Sequence, residues 1–201
     1  MPKTVNHAER RATFIAASWD LIADEGLSAA TLRRVAAAVG VTTGSLTHYF
    51  NDRDALIVEA LRTAHFTAGS RMISAMAEET DPRQRLITVL NEALPLDQNR
   101  RREWKVWLAF WAQAVSSSEL AAENERRYQE WRELLEDLVS QIVDKSDRVA
   151  LEVDKLIALI DGLGLRLTIS GLDEEHIHPE RRRGEILVRS SVAALGKDVS
   201  Q

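Results

Sequence analysis

The sequence predicts an all-α protein, in which an N-terminal helix-turn-helix domain precedes a larger C-terminal helical bundle. Helical periodicity runs through nearly the whole chain, with no strand alternation and no internal repeat. Only 4 Pro and 9 Gly interrupt 201 residues. Residues 31–50 have the pattern of two short helices joined by a tight turn. We expect about nine helices, divided between domains 1–53 and 54–201.

The first helix is predicted from about Ala8 to Glu25. Phe14, Ala17, Leu21 and Ile22 recur at helical spacing and form its inward stripe. Gly26 follows directly and is expected to end the helix, because glycine adopts the left-handed conformation without a steric penalty.

The two helices of the central motif follow from capping residues and a glycine. Thr31 caps the first helix, whose inward side chains are Leu32, Val35, Ala36 and Val39, and Thr42 caps the second. Gly40 supplies the positive φ of the turn between them. On the second helix Leu46 and Phe50 face inward.

The outward residues of the second helix are small or polar, which suits close approach to base edges in a major groove. The base-reading surface is predicted to be Thr43, Gly44, Ser45, Thr47, His48 and Tyr49. We expect further contacts to DNA from Thr31, Thr42, Arg33 and Arg53, the two arginines toward phosphates. A solvated charged surface is the alternative for such arginines. The motif predicts a protein that reads DNA.

The remaining helices begin at recognisable signals. The fourth runs from Asp52 to about Glu79 through Leu56, Ala60, Phe66 and Ile73. The fifth opens at Asp81-Pro82, Asp97 caps the sixth, Ser116 and Glu119 have capping-box spacing for a seventh helix reaching Val143, and His178-Pro179 starts the ninth.

The motif and its flank resemble the tetracycline-repressor-like (TetR) family of bacterial regulators. The residues that carry the resemblance are Thr31, Ala36, Gly40, Val41, Thr42, Gly44, Leu46, Tyr49, Phe50, Asp52, Arg53, Asp54 and Leu56. Thr47 departs from the family, where an aromatic residue is common, and Arg53 stands where lysine is common. The resemblance implies a helical homodimer that binds DNA with its first three helices and a small effector with its C-terminal bundle.

An apolar stripe follows the eighth helix with alternating spacings of four and three residues, which predicts packing along its length against another helix. An intramolecular core fits this stripe equally well. The family resemblance implies instead that the last two helices pair with their copies in a second subunit. The interface is then predicted at Leu156, Ile160, Leu163, Leu167, Leu187, Val188, Ser191, Val192 and Leu195.

Aromatic residues cluster in the sixth and seventh helices. Trp104, Trp107 and Trp111 lie at i, i+3 and i+7, and Tyr128 and Trp131 lie three apart. This segment is similar to the choline-responsive BetI-like branch of the family. Because Trp faces attract cations, we expect these rings, with the carboxylate of Asp161, to hold a cationic amine or quaternary ammonium compound. The alternatives are that the rings are ordinary core and that Asp161 caps a helix or faces solvent.

Composition and charge limit the other functions. The net charge is −5, but residues 1–53 carry six basic and five acidic side chains, so the acidic excess lies in the remainder. The sequence contains no Cys, no membrane-length apolar run and no apolar signal segment, so we expect a cytoplasmic protein without disulfides. The His residues show no metal-ligand spacing, and no nucleophile or phosphate-loop motif occurs, so we expect neither metal, cofactor nor enzyme activity.

These features together predict a homodimeric transcriptional repressor that binds a near-palindromic operator and is released by a small effector. The alternative is a helical ligand-binding or interaction protein whose DNA-binding head no longer works.

Overall fold

A computed structural model describes residues 7–144, 146–170 and 174–196 of the chain. These residues form nine α-helices and one short 3₁₀ helix, and none of them lies in a strand. The α-helices are α1 His7–Glu25, α2 Leu32–Ala38, α3 Thr43–Thr47, α4 Arg53–Met76, α5 Pro82–Ala93, α6 Gln98–Ala114, α7 Ser118–Ser140, α8 Ser146–Ile169 and α9 Glu174–Ala194, and the 3₁₀ helix is Leu27–Ala29. The predicted all-α class is confirmed.

Several helix ends lie where the local sequence predicts them. Gly26 ends α1 with φ of 86°, and its N–H donates to the Ile22 carbonyl at 2.9 Å. The Asp81 carboxylate accepts from the N–H of Gln84 at 2.8 Å, with proline in the first turn of α5. Asp97 accepts from the N–H of Arg100 at 2.8 Å and caps α6 in the same way. Each cap satisfies an N–H that has no partner within its own helix.

Two helix starts differ from the prediction. The hydroxyl of Ser117, rather than that of Ser116, accepts from the N–H of Leu120 at 3.4 Å and caps α7. Ser116 instead donates to the Gln113 carbonyl at the end of α6, at 3.1 Å. The α9 helix begins at Glu174, so that Pro179 lies inside it. Capping spacing and proline position therefore locate these helix starts only to within a turn.

The chain packs as two compact units. The first contains residues 1–66 and 105–123, and the second contains residues 67–104 and 124–201. In the first unit α1, α2 and α3 enclose a core that includes Phe14, Val35, Leu46, Phe50 and Leu56. This core contains the inward residues predicted on these helices except Ile22, which is buried in a separate cluster with Ala23, Ala30 and Val106. The division at residue 53 stays a prediction about function.

In the second unit α5, α8 and α9 pack against one another. The guanidinium of Arg71 on α4 donates to Glu92 at 2.9 Å and to both carboxylate oxygens of Glu103 at 2.7 and 2.8 Å. Arg83 on α5 donates to the carbonyls of Val192 and Leu195 at 2.6 and 2.9 Å. The last carbonyls of α9 thereby gain the partners that the helix itself cannot supply.

The inward stripe predicted for α4 is only half right. Leu56 and Ala60 are buried, but Phe66 is 74 % exposed and Ile73 is 59 % exposed. At 100° per residue these two positions lie about 100–120° around the helix axis from the middle of the buried pair, so they belong to a different face. Across the described part of the chain, no helix combines the length and the apolar character that crossing a membrane requires.

Candidate nucleic-acid interface and ligand site

The α2–α3 segment forms the turn and caps that the sequence predicts. The hydroxyl of Thr31 accepts from the N–H of Arg34 at 3.2 Å, and that of Thr42 accepts from the N–H of Ser45 at 3.3 Å. Gly40 between the two helices has φ of 72°. This is the left-handed region, where a Cβ atom would be strained. The side chains of both threonines are thus used to hold the ends of the two helices.

The outer surface of α3 carries small and polar groups. Thr43, Gly44 and Thr47 are exposed together with the adjoining His48, and Ser45 is half-buried. The Thr47 hydroxyl donates to the Gly44 carbonyl at 2.9 Å, which leaves the methyl group and the oxygen lone pairs of Thr47 for an outside partner. Three of these four exposed residues are glycine or threonine, so another molecule can approach the helix backbone closely.

The inner side of α3 is held by aromatic packing. Leu46 and Phe50 are buried, and the Phe14 ring meets the Tyr49 ring edge to face, with the centroids 5.2 Å apart. Tyr49 is half-buried and also contacts the ring of His7 at 5.1 Å. The Tyr49 ring therefore helps to fix α3 on α1, and its predicted contact with DNA bases stays a prediction.

The arginines near the motif differ in what they contact. Arg33 is exposed. Arg34 pairs with Glu25 at 2.6 Å. Arg53 donates to the carbonyls of Ala30 and Leu27 at 3.1 and 2.6 Å. The guanidinium of Arg53 thus closes the connection between α1 and α2, a role that sequence spacing did not indicate.

A chain of ion pairs links α1, α4 and α7 inside the first unit. Arg11 donates to Glu59 at 2.7 Å, and Arg62 donates to the other carboxylate oxygen of Glu59 at 2.9 Å. Arg62 also donates two hydrogen bonds, of 3.1 and 3.0 Å, to the buried carboxylate of Glu123. The Arg11 guanidinium also lies over the Phe50 ring, 5.0 Å from its centroid. Glu123 and Glu59 raise the pKa of Arg62, so it stays charged. We call these four charged residues the ion-pair relay.

Two of the predicted ligand-binding tryptophans belong to the first unit. Trp107 and Trp111 are half-buried with ring centroids 6.3 Å apart, and they pack on a cluster that contains Ile57, Leu61 and Phe110. Trp107 also contacts His65 edge to face at 6.3 Å. The packing supports the alternative that these two rings belong to the core.

Trp104 belongs to the second unit and is held closely. The residue is only 7 % exposed, and its indole N–H donates to the Ala93 carbonyl at 2.7 Å. The ring lies against Gly164 of α8. A Cβ atom built at Gly164 would come within 2.0 Å of the indole, closer than any real contact, so the indole requires a glycine at this position.

A half-buried carboxylate lies in the same unit. The hydroxyl of Tyr128 on α7 donates to Asp161 on α8 at 2.8 Å. Burial raises the pKa of the Asp161 carboxyl, and the hydrogen bond from Tyr128 only partly opposes this. Burial and the neighbouring Asp161 raise the pKa of Tyr128. Asp161 therefore neither caps a helix nor lies open to solvent, and a cation beside it would favour its charged form.

Sequence reasoning missed Asn124. Its side-chain oxygen is buried and has no hydrogen-bond partner in the described part of the chain. Asn124, Tyr128 and the half-buried Trp131 are spaced at i, i+4 and i+7, so they share one face of α7. Of the six predicted ligand-binding residues, the structure places Trp104, Tyr128, Trp131 and Asp161 in the second unit and the other two tryptophans in the first.

The residue-level prediction of the dimer interface requires correction. Seven of the nine predicted residues are buried within the single chain: Leu156, Ile160, Leu163, Leu167, Val188, Val192 and Leu195. Leu187 is exposed and Ser191 is half-buried. The regular stripe is core, because spacing shows that a helix packs but not against which partner. A different set of apolar side chains is exposed: Leu151, Leu165 and Ile169 on α8, and Ile186 with Leu187 on α9.

Comparison with known protein families identifies both parts of the chain. Residues 14–60 match the family described as bacterial regulatory proteins, tetR family, and residues 82–196 match the BetI-type transcriptional repressor, C-terminal. The chain belongs to the TetR family. The BetI regulator of Paraburkholderia phytofirmans is 34 % identical over 85 % of this chain and 88 % of its own length. The PksA regulator of Bacillus subtilis is 28 % identical over 93 % and 91 %.

Solved structures agree with this assignment. A transcriptional regulator from Rhodococcus sp. Rha1 has a TM-score of 0.78 and 26 % identity, covering 92 % of this TetR-family chain and 95 % of its own. A regulator from Saccharomonospora viridis, solved in complex with choline, has a TM-score of 0.78 and 24 % identity over 90 % and 96 %, and shows a shared fold. This TetR-family protein is a DNA-binding transcriptional regulator, and the alternative without DNA binding is set aside.

Proposed function

We propose that this TetR-family protein is a homodimeric repressor, that it binds a near-palindromic operator, and that an organic cation releases it. The observation that carries the effector proposal is the half-buried Asp161 carboxylate, held by Tyr128 in the same unit as the close-packed Trp104. A regulator of this kind acts on chromosomal DNA, so we place it in the cytoplasm.

The DNA contact is proposed on the outer surface of α3. Thr43, Gly44, Thr47 and His48 are exposed there. The Thr43 hydroxyl and the His48 imidazole can donate and accept hydrogen bonds at base edges, and the Thr47 hydroxyl, which donates to Gly44, can still accept them. Arg33 is exposed beside them and supplies a phosphate contact. Two copies of α3 about 34–36 Å apart would enter successive major grooves, which accounts for a near-palindromic operator.

The homodimer is proposed through the outer faces of α8 and α9. Leu151, Leu165 and Ile169 are spaced by fourteen and four residues on α8, so they lie on one side of that helix, and Ile169 is 68 % exposed. Ile186 and Leu187 add exposed apolar area on α9. Such rows of exposed aliphatic side chains are unusual in a monomer, and a second copy of the same surface would bury them.

The effector is proposed to be an organic cation because the second unit holds an acidic group that is partly removed from water. Partial burial disfavours the ionised form of a carboxylate, and a cation paired with it restores that form. The tyrosine hydroxyl orients the carboxylate, and an indole face nearby offers its negative quadrupole to an ammonium group. The choline bound by the Saccharomonospora viridis regulator makes choline the natural first probe.

The link between effector and DNA is proposed to run along α7. That helix carries Glu123, the buried end of the ion-pair relay, directly before the face with Asn124 and Tyr128. The relay continues through Arg62 and Glu59 to Arg11, which contacts the end of the α3 segment at Phe50. A shift of α7 that favours the cation-bound state would lower the population of the DNA-fitting state.

The proposal is tested by operator binding with and without choline. Fluorescence anisotropy on DNA from upstream of the protein's own gene should give a salt-sensitive Kd, and choline should raise it. Asp161→Asn should lower choline affinity at least about tenfold, because a charge-assisted contact contributes about 1.5–3 kcal/mol.

The matched control is Asp154→Asn. It makes the same change on the same helix, but Asp154 is exposed and pairs with Arg132. Choline affinity should be unchanged in this variant. If Asp161→Asn binds choline as the wild type does, or if no organic cation binds at all, the cationic effector is wrong. Operator binding that is not altered by any bound cation would refute release.

A further inference from the structure

The buried side-chain oxygen of Asn124 has no hydrogen-bond partner among the residues that the structure describes. A buried acceptor without a donor is unfavourable by about 1–3 kcal/mol, and such groups are uncommon in native proteins. When a buried polar group lacks a partner within the protein, a bound ligand can supply the missing donor. The neighbourhood of Asn124 therefore indicates what that ligand carries.

The position of Asn124 follows from the register of two antiparallel helices. Tyr128 on α7 contacts Asp161 on α8, and Arg132, one turn later on α7, contacts Asp154, two turns earlier on α8. Residue numbers therefore rise along α7 as they fall along α8. One turn before Tyr128, Asn124 lies level with about Gly164, the glycine against which the Trp104 ring packs.

The residues between α7 and α8 around Asp161 thus present polar atoms at two levels along the helices. At one level is the carboxylate of Asp161 with the Tyr128 hydroxyl, which suits a cation. One helical turn away, about 6 Å along the axis and at about the level of Gly164, is the unpartnered Asn124 oxygen. The carboxylate at one end and the amide oxygen at the other are both hydrogen-bond acceptors, so each is complementary to a donor or a positive charge on a ligand.

We infer that Asn124 is a specificity-determining residue, which selects organic cations carrying a hydroxyl donor on a short linker over cations whose tail is apolar. This inference rests on the proposed cationic effector of the same site. A ligand with an apolar tail would leave the Asn124 oxygen without a hydrogen-bond donor, whereas a ligand hydroxyl would donate to it. Sites built around a buried polar group discriminate in this way more strongly than apolar pockets do.

The test compares choline with n-propyltrimethylammonium, in which a methyl group replaces the hydroxyl at nearly constant size. We expect the wild-type protein to bind choline about tenfold more tightly, as measured by calorimetry. In Asn124→Leu, which has similar volume but no acceptor, this ratio should fall to about one. Asn124→Asp retains an acceptor oxygen and should keep the preference for choline.

The controls separate this inference from the proposed effector. Gln129→Leu removes an exposed amide of α7 that pairs with Glu133, and the choline preference should be unchanged. Equal binding of both cations by the wild type overturns the role of Asn124 while the cationic effector stands. Failure of both cations to bind overturns the effector proposal itself. If Asn124→Leu does not fold, the wild-type ratio and the Asn124→Asp ratio still decide the question.

Discussion

Replacing Gly164 by alanine tests the packing on which the ligand site depends. The new methyl group would lie 2.0 Å from two atoms of the Trp104 indole and 2.5 Å from a third. The ring has no room to keep its position, because it is almost fully buried and tied to the Ala93 carbonyl by a bond of 2.7 Å. Either the indole or α8 itself must move.

The expected change in the free energy of unfolding combines two destabilising contributions and one stabilising contribution. Overpacking a well-filled core costs about 1–3 kcal/mol, and losing the indole hydrogen bond adds about 1 kcal/mol. Alanine is better than glycine inside a helix by about 1 kcal/mol, which offsets part of this. We therefore expect a net loss of about 2 kcal/mol. For a chain of this size that corresponds to a fall in Tm of about 4–8 °C.

Thermal and urea unfolding, followed by circular dichroism, measure the effect. Gly69→Ala on α4 and Gly162→Ala on α8 are matched controls, because a Cβ atom at either position meets nothing within 4 Å. Both should be neutral or slightly stabilising, and Gly69 lies outside the proposed interface. In a Trp104→Ala background the Gly164→Ala change should also become neutral or stabilising. A penalty that persists without the indole would refute the reasoning.

Four further outcomes follow from the structure. Because burial raises the pKa of Asp161, choline affinity should rise with pH from the ordinary aspartate range up to that raised pKa and then level off, with proton release measured by calorimetry. The Asp161→Asn variant should show no such pH dependence. The same ionisation of Asp161 should lower the stability of the ligand-free protein as pH rises through the raised pKa. Leu165→Glu should give folded monomers in sedimentation and weaker operator binding, because Leu165 is exposed on the proposed interface. Leu163→Glu should unfold the chain, because Leu163 is in the core. If the Leu165→Glu protein is still a dimer, the interface lies elsewhere. Arg53→Ala should lower the free energy of unfolding by about 2 kcal/mol in urea, because two carbonyls lose their hydrogen-bond donor. A phosphate contact is indicated instead if stability is unchanged and the slope of log K for operator binding against log salt concentration becomes shallower by about one. Glu123→Gln should bind choline normally but reduce the factor by which choline weakens operator binding, and a full response in this variant would remove the ion-pair relay from the coupling.

Local signals in the sequence were sufficient for the helices and the DNA-binding motif. Caps at Thr31, Thr42 and Asp81 and the left-handed turn at Gly40 depend on residues within a few positions of one another. Their geometry is set by backbone conformation and one hydrogen bond each, so the residue type alone carries the information. The same holds for the exposed surface of α3, because helical spacing separates inward from outward positions.

The tertiary structure decided which groups within the chain contact one another. The stripe containing Leu156 and Leu163 had two compatible partners in the sequence, and only the packing of α5, α8 and α9 shows that it is core. Arg53 reaches carbonyls 23 and 26 residues away, and the unpartnered oxygen of Asn124 is visible only once its surroundings are known. Periodicity reports which side of a helix is apolar, whereas the identity of the group on the other side depends on contacts that are distant in sequence.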